Sequence, residues 1–159
     1  MRCLVRYPVF LTLVVLTINL AHAELVVTDP WVRATVARQQ ATGAFLKLST
    51  PTPAKLVAAY SPIAGATELH DMKMEDGVMK MRAVEAIPLS PDTVVELRPG
   101  GFHIMLMALK TSLAAGQRVP LTLVIENEEG KRAEYRIEAE VRPLNHQPAE
   151  SVMSAPLSR

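Results

Sequence analysis

Phe102-His103-Ile104-Met105-Leu106-Met107-Ala108-Leu109 is the stretch on which the reading of this 159-residue chain turns. Successive side chains of a strand point to opposite faces, so residues two apart share one. The even positions, Phe102, Ile104, Leu106 and Ala108, are all apolar and make the natural core face. The odd positions, His103, Met105 and Met107, then lie on the other side. Burying an imidazole in an apolar core without a partner costs about 2–7 kcal/mol, which argues for the same placement. The parity repeats at His70-x-Met72-x-Met74, with Asp71 and Lys73 opposite. In Val78 to Arg82, Met79 and Met81 share a face against Val78, Lys80 and Arg82, and for Met79 the pattern leaves core and non-core placements open.

Working outward, short runs with period-2 alternation recur between turn signals. They are Leu25 to Val27, Trp31 to Val36, Thr42 to Ser49, Lys55 to Tyr60, Thr93 to Leu97, Val119 to Glu126 and Ala133 to Val141. Asp29-Pro30 is expected to turn the chain, and Thr50-Pro51-Thr52-Pro53 to be a loop or edge. Arg98-Pro99-Gly100-Gly101 reads as a turn, and Asn127 to Gly130 as a hairpin connection. Trp31, an aromatic among β-branched neighbours, is expected to anchor the core. With no helical pattern, repeat or linker, the chain reads as one all-β domain, an antiparallel sandwich or barrel of about nine short strands.

The ends read differently. Arg2 and Arg6, the apolar run Phe10 to Leu20 and Ala21-His22-Ala23 make residues 1–23 a cleaved secretory signal peptide. That run is shorter than a membrane span of about 20 residues, so no stable membrane insertion is expected. Residues 24–142 would form the sandwich, and residues 143–159, rich in Pro, Ser and Ala, a flexible tail in which His146 is solvated. Cleavage removes Cys3, the only cysteine, and takes Lys plus Arg from 17 to 15 against 16 Asp plus Glu, a net charge of −1. A near-neutral domain without a basic stripe argues against nucleic acid as a partner.

Six of the eight methionines fall between Leu69 and Met107, beside His70 and His103. Thioether sulfur is a soft, uncharged donor that selects Cu(I), and imidazole serves Cu or Zn. A zinc site would draw on Cys, His and carboxylates, and a blue-copper centre on a thiolate that the mature chain lacks. Binding and transfer of Cu(I) fit best, with His70, Met81, His103 and Met105 as ligands and Met72 and Met107 as secondary candidates. Histidine must be neutral to coordinate, so affinity should weaken in a graded way below about pH 6, by roughly 1.4 kcal/mol per pH unit for each coordinating ring. The other readings are a copper-buffering or resistance protein with no dedicated acceptor, an interaction module whose methionines scavenge oxidants, and a zinc hydrolase using His70, Asp71 and His103.

His70, ten residues, Met81, twenty-one residues and His103-Ile104-Met105 resemble the H-x10-M-x21-H-x-M pattern of the periplasmic copper chaperone family PCu(A)C. Asp76-Gly77-Val78-Met79, Met81-Arg82 and the segment from Pro99 to Met107 extend the resemblance, which spans roughly Glu24 to Val141. It implies a cupredoxin-like (Ig-like) β-sandwich that carries Cu(I) in the periplasm and is not an enzyme. It also implies delivery to the copper centre of cytochrome c oxidase subunit II during assembly, alongside a Sco-type thiol protein. Matching the motif makes His70, Met81, His103 and Met105 the primary ligands, with Met72 able to share. Members with a His- and Met-rich extension take a second copper. Here only His146 and Met153 remain in the tail, so any Cu(II) binding there is expected to be weak.

Overall fold

The computed structural model describes residues 25–146, and every regular element in it is a strand. In chain order these are β1 (Val26–Arg33), β2 (Ala41–Ser49), β3 (Ala54–Tyr60), β4 (Ala64–Glu75), β5 (Val78–Ala83), β6 (Ile87–Leu89), β7 (Val95–Leu97), β8 (His103–Leu109), β9 (Arg118–Asn127) and β10 (Arg132–Arg142). The signal-peptide reading of residues 1–23 and most of the tail fall outside the described residues. No described helix is long and apolar enough to cross a membrane.

The strands run in the order β5-β4-β8-β2-β1-β10-β9-β3-β6, with β7 pairing the second half of β2. This path folds over on itself, so that β3 meets β4, where the Thr67 hydroxyl donates to the Ala59 carbonyl. Between the layers lies one apolar cluster, to which β2 contributes Ala44, Leu46 and Leu48, β9 Val119, Leu121 and Leu123, and β8 Ile104 and Leu106. The parity expected of β8 holds for those two, which are fully buried while Met105 and Met107 are only half-buried. It breaks at Ala108, whose φ of 49° lets Leu109 take the core position and leaves Ala108 exposed.

Four features depart from expectation. β1 and β10 run parallel, through Trp31↔Glu140 and Val32↔Val141, in a sheet otherwise antiparallel. Asp29-Pro30 does not turn the chain. Asp29 adopts φ 50° and the register with β2 shifts between Thr28 and Trp31, so one bulged strand replaces two, a site where the missing N–H of proline is tolerated. β6 is an additional strand whose central Pro88 hid it. It pairs Lys55 at the outer edge of the sheet, where proline costs no ladder bond. Trp31 is buried, yet Val32 is the residue that joins the core cluster. The indole lies on the other face of the sheet, its ring centroid 4.4 Å from that of Phe45.

If Ile104 holds the core and Met105 does not, substitution should separate them. Ile104→Ala is expected to cost about 2–5 kcal/mol in urea denaturation of the metal-free protein, and Met105→Leu less than about 1.5 kcal/mol. Equal costs would contradict the assigned faces.

Candidate metal centre

β4 lies between β5 and β8, and the register across the three strands sets the arrangement of the donors. His70 and His103 are direct partners across β4·β8. On the other side of β4, Met72 pairs with Met81 and Met74 with Met79. Met105 sits opposite Glu68, one pair from the histidines in the reverse direction, and Met107 opposite Ala66, a further pair away. All of these side chains therefore share the non-core face. Asp71, Lys73, Lys80 and Arg82 occupy the other face of the hairpin, where Lys73 pairs with Asp71 at 2.8 Å and Arg82 with Glu75 at 2.7 Å.

The histidines form the centre of the cluster. They are 8% and 6% exposed, with ring centroids 5.6 Å apart in an edge-on arrangement. Burial of this kind requires hydrogen bonds, and each ring has one. His103 Nδ1 lies 2.9 Å from the Gly101 carbonyl, which can only accept, so the proton resides on Nδ1 and the lone pair on Nε2. His70 Nε2 lies 2.8 Å from Glu68 Oε2, and a carboxylate acceptor places that ring's proton on Nε2. His70 Nδ1 is then a buried lone pair with no hydrogen-bond partner among the described residues. Two imidazoles with one nitrogen tied back and the other free reproduce how metal-ligating histidines are held.

The flanks are softer. Met81 on β5 is diagonal to His70, and Met105 on β8 lies on the opposite side of the pair, so the histidines have a thioether on either hand. Met72 is two residues from His70 on the same strand. Met107 is two pairs from His103, roughly 13–14 Å along the strand at about 3.4 Å per residue, which sets it apart from the histidines. Met79 and Met74 are 44% and 63% exposed, so neither is core lining. Met105 faces Gly43 of β2, where a Cβ would come within 2.6 Å of the Phe45 ring. That ring, 6.2 Å from His103, continues to Trp31 and closes this side of the site.

Glu68, Gly101 and Phe45 were not picked out as site residues from the sequence. Glu68 was legible, since it is two residues before His70 and shares its face. Gly101 contributes through its backbone and Phe45 through a partner strand distant in sequence. His146 is not a solvated residue but packs edge-on against Trp31, with centroids 4.9 Å apart, and Nε2 lies 3.1 Å from the Arg142 guanidinium. Its hold on that side leaves it apart from the donor cluster. Asp71 lies on the opposite face, and no three His, Cys, Asp or Glu among the described residues gather around a common point. The hydrolytic zinc arrangement of His70, Asp71 and His103 therefore does not form.

A family model described as "Putative lipoprotein LpqE-like" matches residues 25–141. A lipoprotein-named protein of Leifsonia xyli subsp. xyli, Lxx21020, is 34% identical over 98 residues, which is 61% of this chain and 59% of that protein's length. Among solved structures, the apo PCuAC domain from PmoF1 matches with a TM-score of 0.62 at 25% identity, covering 77% of this chain and 97% of that one. The solution structure of CuI-DR1885 from Deinococcus radiodurans matches with a TM-score of 0.53 at 28% identity, over 77% and 81%. The copper-bound PCuAC domain from PmoF2, at 22% identity and a TM-score of 0.61 over 77% and 96%, shares the fold. The sandwich is of the cupredoxin-like kind those domains have.

The electrostatics of the pair give a pH signature. Burial holds His103 below the ordinary histidine value of 6.5, and the neighbouring His70 adds to this. The Gly101 carbonyl and Asp71 pull the other way. The unfolded chain therefore binds a proton near pH 6.5 that the folded chain still refuses, so this contribution to stability is complete above about pH 6.5. It declines as pH falls toward the folded value and levels off below it. Long-range nitrogen-15 NMR of the metal-free protein should find His103 titrating below 6.5 from a neutral form protonated on Nδ1. Titration at or above 6.5 would contradict the buried pair.

Proposed function

The chain belongs to the LpqE-like family, the PCuAC type, and on that footing we propose that it is a periplasmic Cu(I) metallochaperone and not an enzyme. The observation that carries the reading is the buried His70–His103 pair, each ring fixed through one nitrogen with the other free, on a face otherwise lined with methionine. His70 Nδ1 and His103 Nε2 are the nitrogen donors, and Met81 and Met105 supply sulfur from either side. Met72, beside His70 and paired with Met81, is placed to substitute for Met81. Thioether and imidazole suit Cu(I), and the lowered His103 pKa keeps that donor unprotonated where an ordinary ring would begin to charge.

Glu68 has a second role in this scheme. By accepting from Nε2 it fixes the tautomer and orientation of the His70 ring, and it brings a negative charge near an ion whose direct ligands are all neutral. Neutral donors hold the ion less firmly than thiolates do, so a thiolate-bearing acceptor can draw it away. That supports delivery to the copper centre of cytochrome c oxidase subunit II, alongside a Sco-type thiol protein, as the destination. The LpqE-like match and the lipoprotein-named relative support an exported, envelope-associated protein.

Two measurements test the proposal. In Cu(I) titrations of the mature protein against a chelator at neutral pH, replacing Met81 and Met105 together by leucine should weaken binding at least tenfold, about 1.4 kcal/mol. Unchanged affinity would remove the sulfur flanks from the site. A strain lacking the gene should lose oxidase activity when copper is scarce. Copper sensitivity with normal oxidase activity would instead identify a buffering protein.

A further inference from the structure

The β4–β5 hairpin carries more thioethers than the histidine pair can use. Its methionine face has two rungs, Met72↔Met81 beside His70 and Met74↔Met79 nearer the turn. Directly opposed residues have Cβ atoms about 4.5–5.5 Å apart, and each methionine sulfur rides on a flexible unbranched arm. Two sulfurs of one rung can therefore meet on a single ion. The register of the rungs is held by the two-residue turn Asp76-Gly77, both with positive φ (52° and 77°), the conformation of a tight hairpin connection.

Met74 is 63% exposed, Met79 44% and Met81 45%, and every residue of β5 is exposed. These side chains thus add little to the core. On the reverse face, Glu75 pairs with Lys80 and Arg82 and Asp71 with Lys73, so the charges there are matched among themselves. The methionine face has no charged member from Met72 to Met81, and its donors are of one chemical type.

We propose that Met74 and Met79 form a second, solvent-facing site for a soft monovalent cation, held by two thioethers. An ion captured there is one rung, roughly 7 Å, from Met72 and Met81, and those residues adjoin His70. The hairpin is then a thioether ladder along which the ion moves by exchange of one neutral sulfur ligand for the next, with no change of oxidation state and no proton released. The tip site stands without the copper reading, whereas the ion's destination at the histidines rests on it.

Ag(I), a redox-inert soft cation, is the probe, added to the full mature chain with methyl-labelled methionine and followed by NMR and native mass spectrometry. Two ions should bind per chain. The first should shift the His70 and His103 ring signals together with Met105. The second, weaker one should shift the Met74 and Met79 methyls. Leucine at both 74 and 79 should reduce the stoichiometry to one and leave the first affinity within threefold, and these exposed positions should tolerate the change. A single bound ion that leaves the Met74 and Met79 methyls in place in the unaltered chain, or two ions in the double variant, overturns the tip site, as does a second ion that leaves both methyls in place. Ag(I) at the tip with unmoved histidine signals would sustain it and instead refute the copper reading of the histidine pair.

Discussion

The antiparallel pairing of β4 with β8 is the constraint on which the rest depends. It makes His70 and His103 partners and, through the same register, places Leu69 and Ile104 together in the core. Because side-chain direction alternates along a strand, a slip of one residue would exchange the two faces, turning methionines and histidines into the apolar core and Ile104 and Leu106 out of it. The apolar residues of β8 therefore set the geometry of the donors without touching an ion. Stability and binding are written into the same strand on alternate residues.

Burial of the histidines without loss of their donor capacity follows from how the surrounding chain is arranged. The outer face of the sheet would ordinarily be wet. Here Phe45 covers one side of His103 and Trp31 packs against Phe45, with Arg33 lying over both aromatic rings at 5.9 and 5.7 Å and Arg142 over the indole. Gly43 leaves the space into which the Phe45 ring folds. This outer layer excludes water from the rings, and the Gly101 and Glu68 acceptors each consume one nitrogen. The remaining nitrogens are thus preorganised as lone pairs, and at His103 burial disfavours the proton that would compete with a metal.

Much of this could be read from the chain, and the rest was hidden for identifiable reasons. Alternation in β8 and β4 separates the histidine and methionine face from the other because both strands contrast one apolar or charged face with one of histidine and methionine. The hairpin from β9 to β10 was legible from Asn127 to Gly130, where Gly130 adopts φ 75° and the Asn127 side chain accepts from the Lys131 amide. β6 and the bulge in β1 were misread because proline signals a break in the chain and does not say whether an edge or a bulge will accommodate it. The parallel pairing of β1 with β10 joins segments more than a hundred residues apart, and no local pattern encodes it. An aromatic among β-branched neighbours points Trp31 to the core, although Val32 beside it competes for that face. Its true neighbours, Phe45, Arg142 and His146, come from other strands and the start of the tail.

The position of the methionines in the fold bears on what kind of binder this is. A site for permanent retention gains from enclosure, since ligands fixed on every side slow the loss of the ion. Here the nitrogen donors are enclosed while the sulfur donors grade outward, from half-buried Met105 and Met72 to Met81, 45% exposed on the edge strand. Flexible thioethers on an edge strand can leave the ion one at a time and present it to an incoming ligand before the histidines release it. Such a stepwise exchange avoids a bare ion, so the barrier never includes the loss of every ligand at once. The gradient from rigid, buried imidazole to mobile, exposed thioether is therefore itself an argument for transfer over storage. It arises because β5 extends the sheet beyond the reach of the core, where packing no longer dictates which side chains are used.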